Sequence, residues 1–186
     1  NLSDLAAAGA IPRAFFLTIG LPVRDDAWRA GFTKGMTELS RQAGCPLLGG
    51  DTTRTAKVGD IHAPVTISIT AMGELPQSMG LTRAGARPGD DIWVSGCVGG
   101  AWAALMHRWG KLTLDARVFP SAALAMDRPN PRNALGTALL SSATACADIS
   151  DGLAQDLGHI LERSGVDADV LWDAVPKHPA NRKSTR

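Results

Sequence analysis

The sequence predicts a mixed α/β chain arranged as two domains, on three observations. Strand-type apolar runs alternate with helix-type apolar spacing through the first half. Prolines and glycines between residues 74 and 90 then break every regular pattern. Beyond that break, a new strand-like run, a glycine-rich loop and alanine-rich helical stretches begin again.

Taken in order, residues 3–10 read as a short helix, with Ser3 or Asp4 near its start and Gly9 as its stop. Residues 14–21 fit a buried strand bounded by Pro12 and Pro22. Asp25 and Asp26 open a helix to about Ala43, whose Trp28, Phe32, Met36, Leu39 and Ala43 recur every three or four residues as a stripe expected against a sheet. Cys45–Leu48 is a short apolar strand, with Gly49, Gly50 and Asp51 at its tip. Residues 63–73 alternate Val65, Ile67, Ile69 and Ala71 on one face and read as a strand. Asp91–Ser95 predicts another strand, entering the loop at Gly96, Gly99 and Gly100. Helices follow at 101–109, 134–147 and 153–163, and a last strand is expected within 166–175.

Composition narrows the function classes. Hydrophobic residues make up 45% of the 186 and charged residues 20%, which a disordered chain does not show. The 19 Lys and Arg balance 18 Asp and Glu, so nothing points to nucleic acid as a partner. The one basic cluster is Lys177, His178, Arg182, Lys183 and Arg186, expected to be a solvated, disordered or altered tail over residues 177–186. Cys45, Cys97 and Cys146 lack the close spacing of a zinc or redox site. No apolar stretch is long enough to cross a bilayer, and no targeting segment is recognisable, so a cytoplasmic location is expected. Trp28, Trp102 and Trp109 read as core residues, and His107 as packing. His62 and His159 carry no catalytic assignment.

The acidic residues carry the chemistry. Asp148 and Asp151 bracket Ile149 and Ser150, just before Gly152 and an apolar-periodic helix. Two carboxylates three residues apart can cap a helix, or they can hold a hard cation such as magnesium together with phosphate oxygens. Asp51 follows two glycines at an expected strand end, where ligands collect in α/β sheets. Asp4 stands beside a helix start and reads equally as a cap or a ligand. The loop Gly96–Gly100 matches neither G-x-G-x-x-G nor a P-loop, and close helix–strand packing is its plainer reading.

Together these residues resemble the thiamine-monophosphate kinases, of the aminoimidazole ribonucleotide synthetase-like ATP-binding superfamily. Residues 1–10 (NLSDLAAAGA) resemble an acidic metal-binding segment of that family, and 49–54 (GGDTTR) its next motif. Residues 81–90 (LTRAGARPGD) resemble its domain-crossing segment, 127–132 (DRPNPR) an Arg-Pro-x-Pro-Arg stretch, and 148–153 (DISDGL) with Asp156-Leu157 its second acidic motif.

The resemblance implies two α/β domains, both incomplete here. Residues 1–80 would be the later part of an N-terminal ATP- and metal-binding domain, and 81–176 the earlier part of a C-terminal one. It implies Mg2+ held by Asp4, Asp51, Asp148 and Asp151, and ATP contacted by Arg83, Ser150 and Gly50. The implied reaction is direct in-line transfer of the ATP γ-phosphoryl group to thiamine monophosphate, the final step of thiamine diphosphate biosynthesis, with no Ser, His or Cys nucleophile. A homodimer is implied for the intact protein. An earlier glycine-Asp-Asp motif and later substrate-binding segments of the family are not found. Asn1 in place of Met and the polar end read as cuts, and an unpaired sheet edge with an exposed apolar face is expected. Another ATP-dependent enzyme of the superfamily, or an inactive nucleotide-binding fragment, are the alternatives.

Overall fold

A computed structural model describes residues 1–59, 61–76 and 80–181. They form two units, Asn1–Leu81 with Arg132–Ala143, and Thr82–Pro131 with Thr144–Arg186.

In the first unit, α1 (Leu2–Ala7) leads through Gly9 at φ 74° into β1 (Ile11–Leu21). Helix α2 (Asp26–Gln42) then crosses to β2 (Leu47–Arg54). A two-residue pair, β3 (Lys57–Val58) and β4 (Ile61–His62), precedes β5 (Thr66–Glu74). The sheet order is β2-β1-β5, with β1 parallel to β2 and antiparallel to β5. The parallel pair needs a crossover, which α2 supplies; Asp25 caps it by accepting from the Trp28 N–H at 2.9 Å.

Register gives the sheet two unlike faces, because residues paired across strands share a face. One carries the rows Thr52–Ile19–Ile67 and Gly50–Leu17–Ile69, and on it Phe15 and Ile19 are buried. The other carries Asp51–Thr18–Ser68 and Thr53–Gly20–Thr66, a row of hydroxyls around one carboxylate. The core of this unit is small: Ala6, Ala10, Ala14, Phe15, Ile19 and Cys45.

Several expectations are corrected here. β2 does not end at the glycine pair but runs through Gly49, Gly50 and Asp51, so Asp51 sits within the strand opposite Thr18. Helix α2 buries none of its residues. Trp28 stacks on Phe32 one turn away, with ring centroids 5.3 Å apart, and stays 37% exposed. Phe16, Leu47, Leu48 and Met72 are exposed as well.

The second unit holds α3 (Gly100–Arg108), α4 (Phe119–Asp127) and α6 (Leu153–Ser164); α5 (Asn133–Leu139) belongs with the first. Helices α3 and α4 meet through Ala103, Ala104 and Ala122, small enough for close approach, ringed by Leu112, Leu114, Val118, Phe119 and Met126. Arg108 and Asp127 join the same two helices by a two-pronged ion pair. The His107 ring packs on Phe119 at 4.5 Å, and its Nδ1 accepts from the Leu114 N–H at 3.2 Å. Trp102 and Trp109, expected in the core, lie outside it and are 55% and 59% exposed.

The runs 91–95 and 166–171 form no strand; Trp93 and Leu171 are exposed, and Trp172–Ala174 is a single 3-10 turn. A strand needs a partner edge, and neither run is given one among the described residues. The helix expected over 134–147 is only Asn133–Leu139. Residues 177–181 are not a free tail: Val98 donates to the Pro176 carbonyl, His178 donates to that of Val98, and Ala180 is buried beside Ala103 and Ala104. Residues 182–186 lie outside the described residues.

Candidate functional site

In the first unit the acidic candidates are Asp4 on α1 and Asp51 on β2, both exposed. α1 is only six residues long and could not stand alone. Helix α5 clasps it. Asn133 Nδ2 donates to the Leu2 carbonyl at 2.9 Å, and a Cβ on Gly136 would lie 1.9 Å from the Ala6 carbonyl oxygen. That approach is open only to glycine, and it fixes the helix that bears Asp4. Gly50 does the same for Asp51: a Cβ there would lie 1.7 Å from the Leu17 carbonyl oxygen.

In the second unit, Arg83 and the 148–151 run come from adjacent segments. Cys146 donates its backbone N–H to the Thr82 carbonyl at 2.9 Å. Thr144 Oγ1 donates to Asp90 at 2.7 Å, and the Arg87 N–H donates to the same Asp90 oxygen at 2.9 Å. The Thr144 hydroxyl and then the Arg87 N–H hold the Asp90 carboxyl below the usual aspartate range. Ser164, at the far end of α6, accepts from Gly85 and Ala86 at 3.2 and 3.1 Å and donates to the Arg83 carbonyl at 3.1 Å. α6 therefore secures the backbone around Arg83.

The near end of α6 secures the acidic run. Gly152 is its N-cap and has no side chain to accept from the free N–H groups that open a helix. Asp156 Oδ2 accepts instead from Ser150, Asp151 and Gly152, at 2.9, 3.1 and 3.1 Å. Asp156 is buried, whereas Asp151 is exposed and accepts from Gln155 at 3.3 Å. Asp148 is half-buried. Burial, and then the Asp148 carboxylate, push the Cys146 thiol up, so it is a protonated thiol at neutral pH and no nucleophile.

Within either unit, among the described residues, no three His, Cys, Asp or Glu side chains converge as a closed metal cage. Exposed carboxylates with hard oxygen donors fit the other kind of magnesium site, in which one or two carboxylates share the ion with phosphate oxygens and water. The Gly96–Gly100 loop offers no such opening: His178 and Asn181 stand where a Cβ on Gly100 or Gly99 would be, at 2.9 and 2.5 Å. Sequence reasoning missed Ser164 and the anchoring part of Asp156. The readable signal for Asp156 was an acid in the first turn of a helix whose cap is glycine.

Residues 1–75 match the family described as AIR synthase related protein, N-terminal domain. The thiamine-monophosphate kinase of Caulobacter vibrioides is 40% identical over 181 residues, 96% of this chain and 49% of that protein. The crystal structure of thiamine-monophosphate kinase from Stenotrophomonas maltophilia K279a aligns at TM-score 0.88 with 41% identity, over 100% of this chain and 58% of that one. AaThiL complexed with AMPPCP and TMP aligns at TM-score 0.83 with 28% identity, over 95% and 54%. The chain spans about half the length of the curated relatives it matches. In sequence over nearly its whole length, and in its mixed α/β fold, the chain is similar to the thiamine-monophosphate kinases, and its residues 1–75 match the AIR synthase related N-terminal domain.

Proposed function

We propose that the protein phosphorylates thiamine monophosphate to thiamine diphosphate with ATP, by direct in-line transfer, as the final step of thiamine diphosphate biosynthesis. One observation carries the reading: likeness over 95% of the chain to a structure complexed with AMPPCP and TMP. In this reading Asp4, Asp51, Asp148 and Asp151 hold magnesium ions jointly with phosphate oxygens. When bound, Mg2+ neutralises charge on the phosphates and aligns the reacting oxygens. Arg83 offers a guanidinium fork to the nucleotide phosphates, and Ser150 a hydroxyl. Gly50 supports Asp51 through the strand approach, and its assignment as a nucleotide contact is part of the same proposal. An acceptor phosphate oxygen is already nucleophilic, so the reaction asks no Ser, His or Cys for covalent help and needs no strong base. A homodimer in the cytoplasm belongs to the proposal. Among the described residues no helix is long and apolar enough to cross a membrane.

The test is to incubate the purified protein with ATP, thiamine monophosphate and magnesium, and to follow thiamine diphosphate by chromatography. Product that vanishes without magnesium and falls at least a hundredfold in Asp148→Asn is expected. A folded protein that binds ATP but makes no product would reduce the reading to nucleotide binding. Turnover of a different phosphate acceptor would move it elsewhere in the superfamily.

A further inference from the structure

We propose that Asp156 is a positioning residue that sets the 150–152 backbone and thereby presents Asp148 and Asp151 to the metal; this rests on the metal role proposed above. Asp156 is 5% exposed and is the one buried charged residue among those described. A buried carboxylate is costly unless its lone pairs are matched. Here three backbone N–H groups converge on a single oxygen, and no ion pair to Asp156 exists among the described residues.

The consequence reaches the ligand. The N–H groups of Ser150, Asp151 and Gly152 turn in toward Asp156, so they are already occupied by an anion of the chain itself. Backbone cradles of this kind at a helix start commonly receive phosphate. This one does not, and a phosphate meets the loop through the metal at Asp148 and Asp151 or through the Ser150 hydroxyl. The carboxylate also locks the path between the two acids. Asp148 and Asp151 thus approach a cation with little rearrangement, as outer partners fix the ligands in other metal sites.

The experiment combines Mn2+ affinity, read by electron paramagnetic resonance well below the unfolding transition, with amide hydrogen exchange. In the wild-type protein the Ser150, Asp151 and Gly152 amides are expected to exchange slowly, with or without ATP. Asp156→Ala should free all three and weaken Mn2+ binding about tenfold. Asp156→Asn keeps an acceptor oxygen in the same place without the charge, and should fall between. A merely structural role would lower thermal stability and leave Mn2+ affinity unchanged in folded protein. Free exchange of the three amides in wild type, or Mn2+ affinity within twofold of wild type in both variants, overturns the proposal. Asp148→Asn separates the two ideas: it should lose Mn2+ while the three amides stay protected. Unchanged Mn2+ binding in that variant would overturn the metal reading itself, and the positioning role with it. If Asp156→Ala does not fold, Asp156→Asn and the wild-type amides decide.

Discussion

At Gly50 the demands of backbone and chemistry meet. A side chain there would collide with the Leu17 carbonyl, part of the pairing that places Asp51 opposite Thr18. Gly50→Ala is therefore expected to cost at least about 3 kcal/mol, because β1 and β2 must separate or slip. Urea unfolding measures it, and a loss under about 1 kcal/mol would show the strands tolerate a side chain at that point. By contrast Asp51→Asn, on an exposed strand position, should leave the urea midpoint unchanged and alter only metal binding. Single acids were legible in the sequence, but their surroundings were not. The glycine pair before Asp51 reads as a strand tip because glycine weakens a strand interior; it is here a strand interior made narrow by its neighbour. Asp156 was visible as a motif residue, yet its three N–H partners depend on the path of the backbone around it.

Among the elements, helices were easier to read than strands because a helix satisfies its own backbone and a strand does not. The start of α2 at Asp25–Asp26 follows from a cap and apolar spacing, and the start of α6 after Gly152 from apolar spacing alone. The apolar runs 91–95 and 166–171 carry strand composition, but pairing is a property of two segments and neither finds its mate among the described residues. The clasp of α5 on α1 was equally hidden, since it joins residues more than a hundred positions apart. It makes a sharp prediction for the helix bearing Asp4. In Gly136→Ala the added methyl would meet the Ala6 carbonyl, so α1 must withdraw. The expected result is about 2–3 kcal/mol of destabilisation together with faster amide exchange in residues 2–8 than elsewhere. Uniform exchange would mean that α1 is held by the sheet alone. At the other scaffold helix, Ser164→Ala removes the acceptor for Gly85 and Ala86. ATP affinity should fall several-fold while Mn2+ affinity is kept, because Ser164 holds the Arg83 backbone and makes no bond to the 148–152 run.

For the molecule as a whole, acid sensitivity follows from two exposed clasps of the second unit. The Thr144 hydroxyl and the Arg87 N–H lower the Asp90 carboxyl, and the Arg108 guanidinium lowers that of Asp127. In both, the folded chain releases its proton more readily than the unfolded chain. Their stabilisation is therefore fully present above the ordinary aspartate value near pH 4 and disappears as pH falls through the lower folded values. Stability should be level with respect to these two groups from pH 5 to 7 and drop below pH 4. Asp90→Asn and Asp127→Asn should each flatten that acid limb, by independent increments, because the two clasps share no partner. Thr144→Val should act like Asp90→Asn at low pH, since it removes the first of the bonds that favour the ionised form. Salt distinguishes the clasps further: the ion pair of Arg108 with Asp127 is screened, whereas the neutral donors on Asp90 are not. An acid limb that keeps its slope in both Asn variants would mean that other carboxylates govern unfolding. A slope that falls in Asp127→Asn and vanishes from the wild type at high salt would assign the larger share to the brace between α3 and α4.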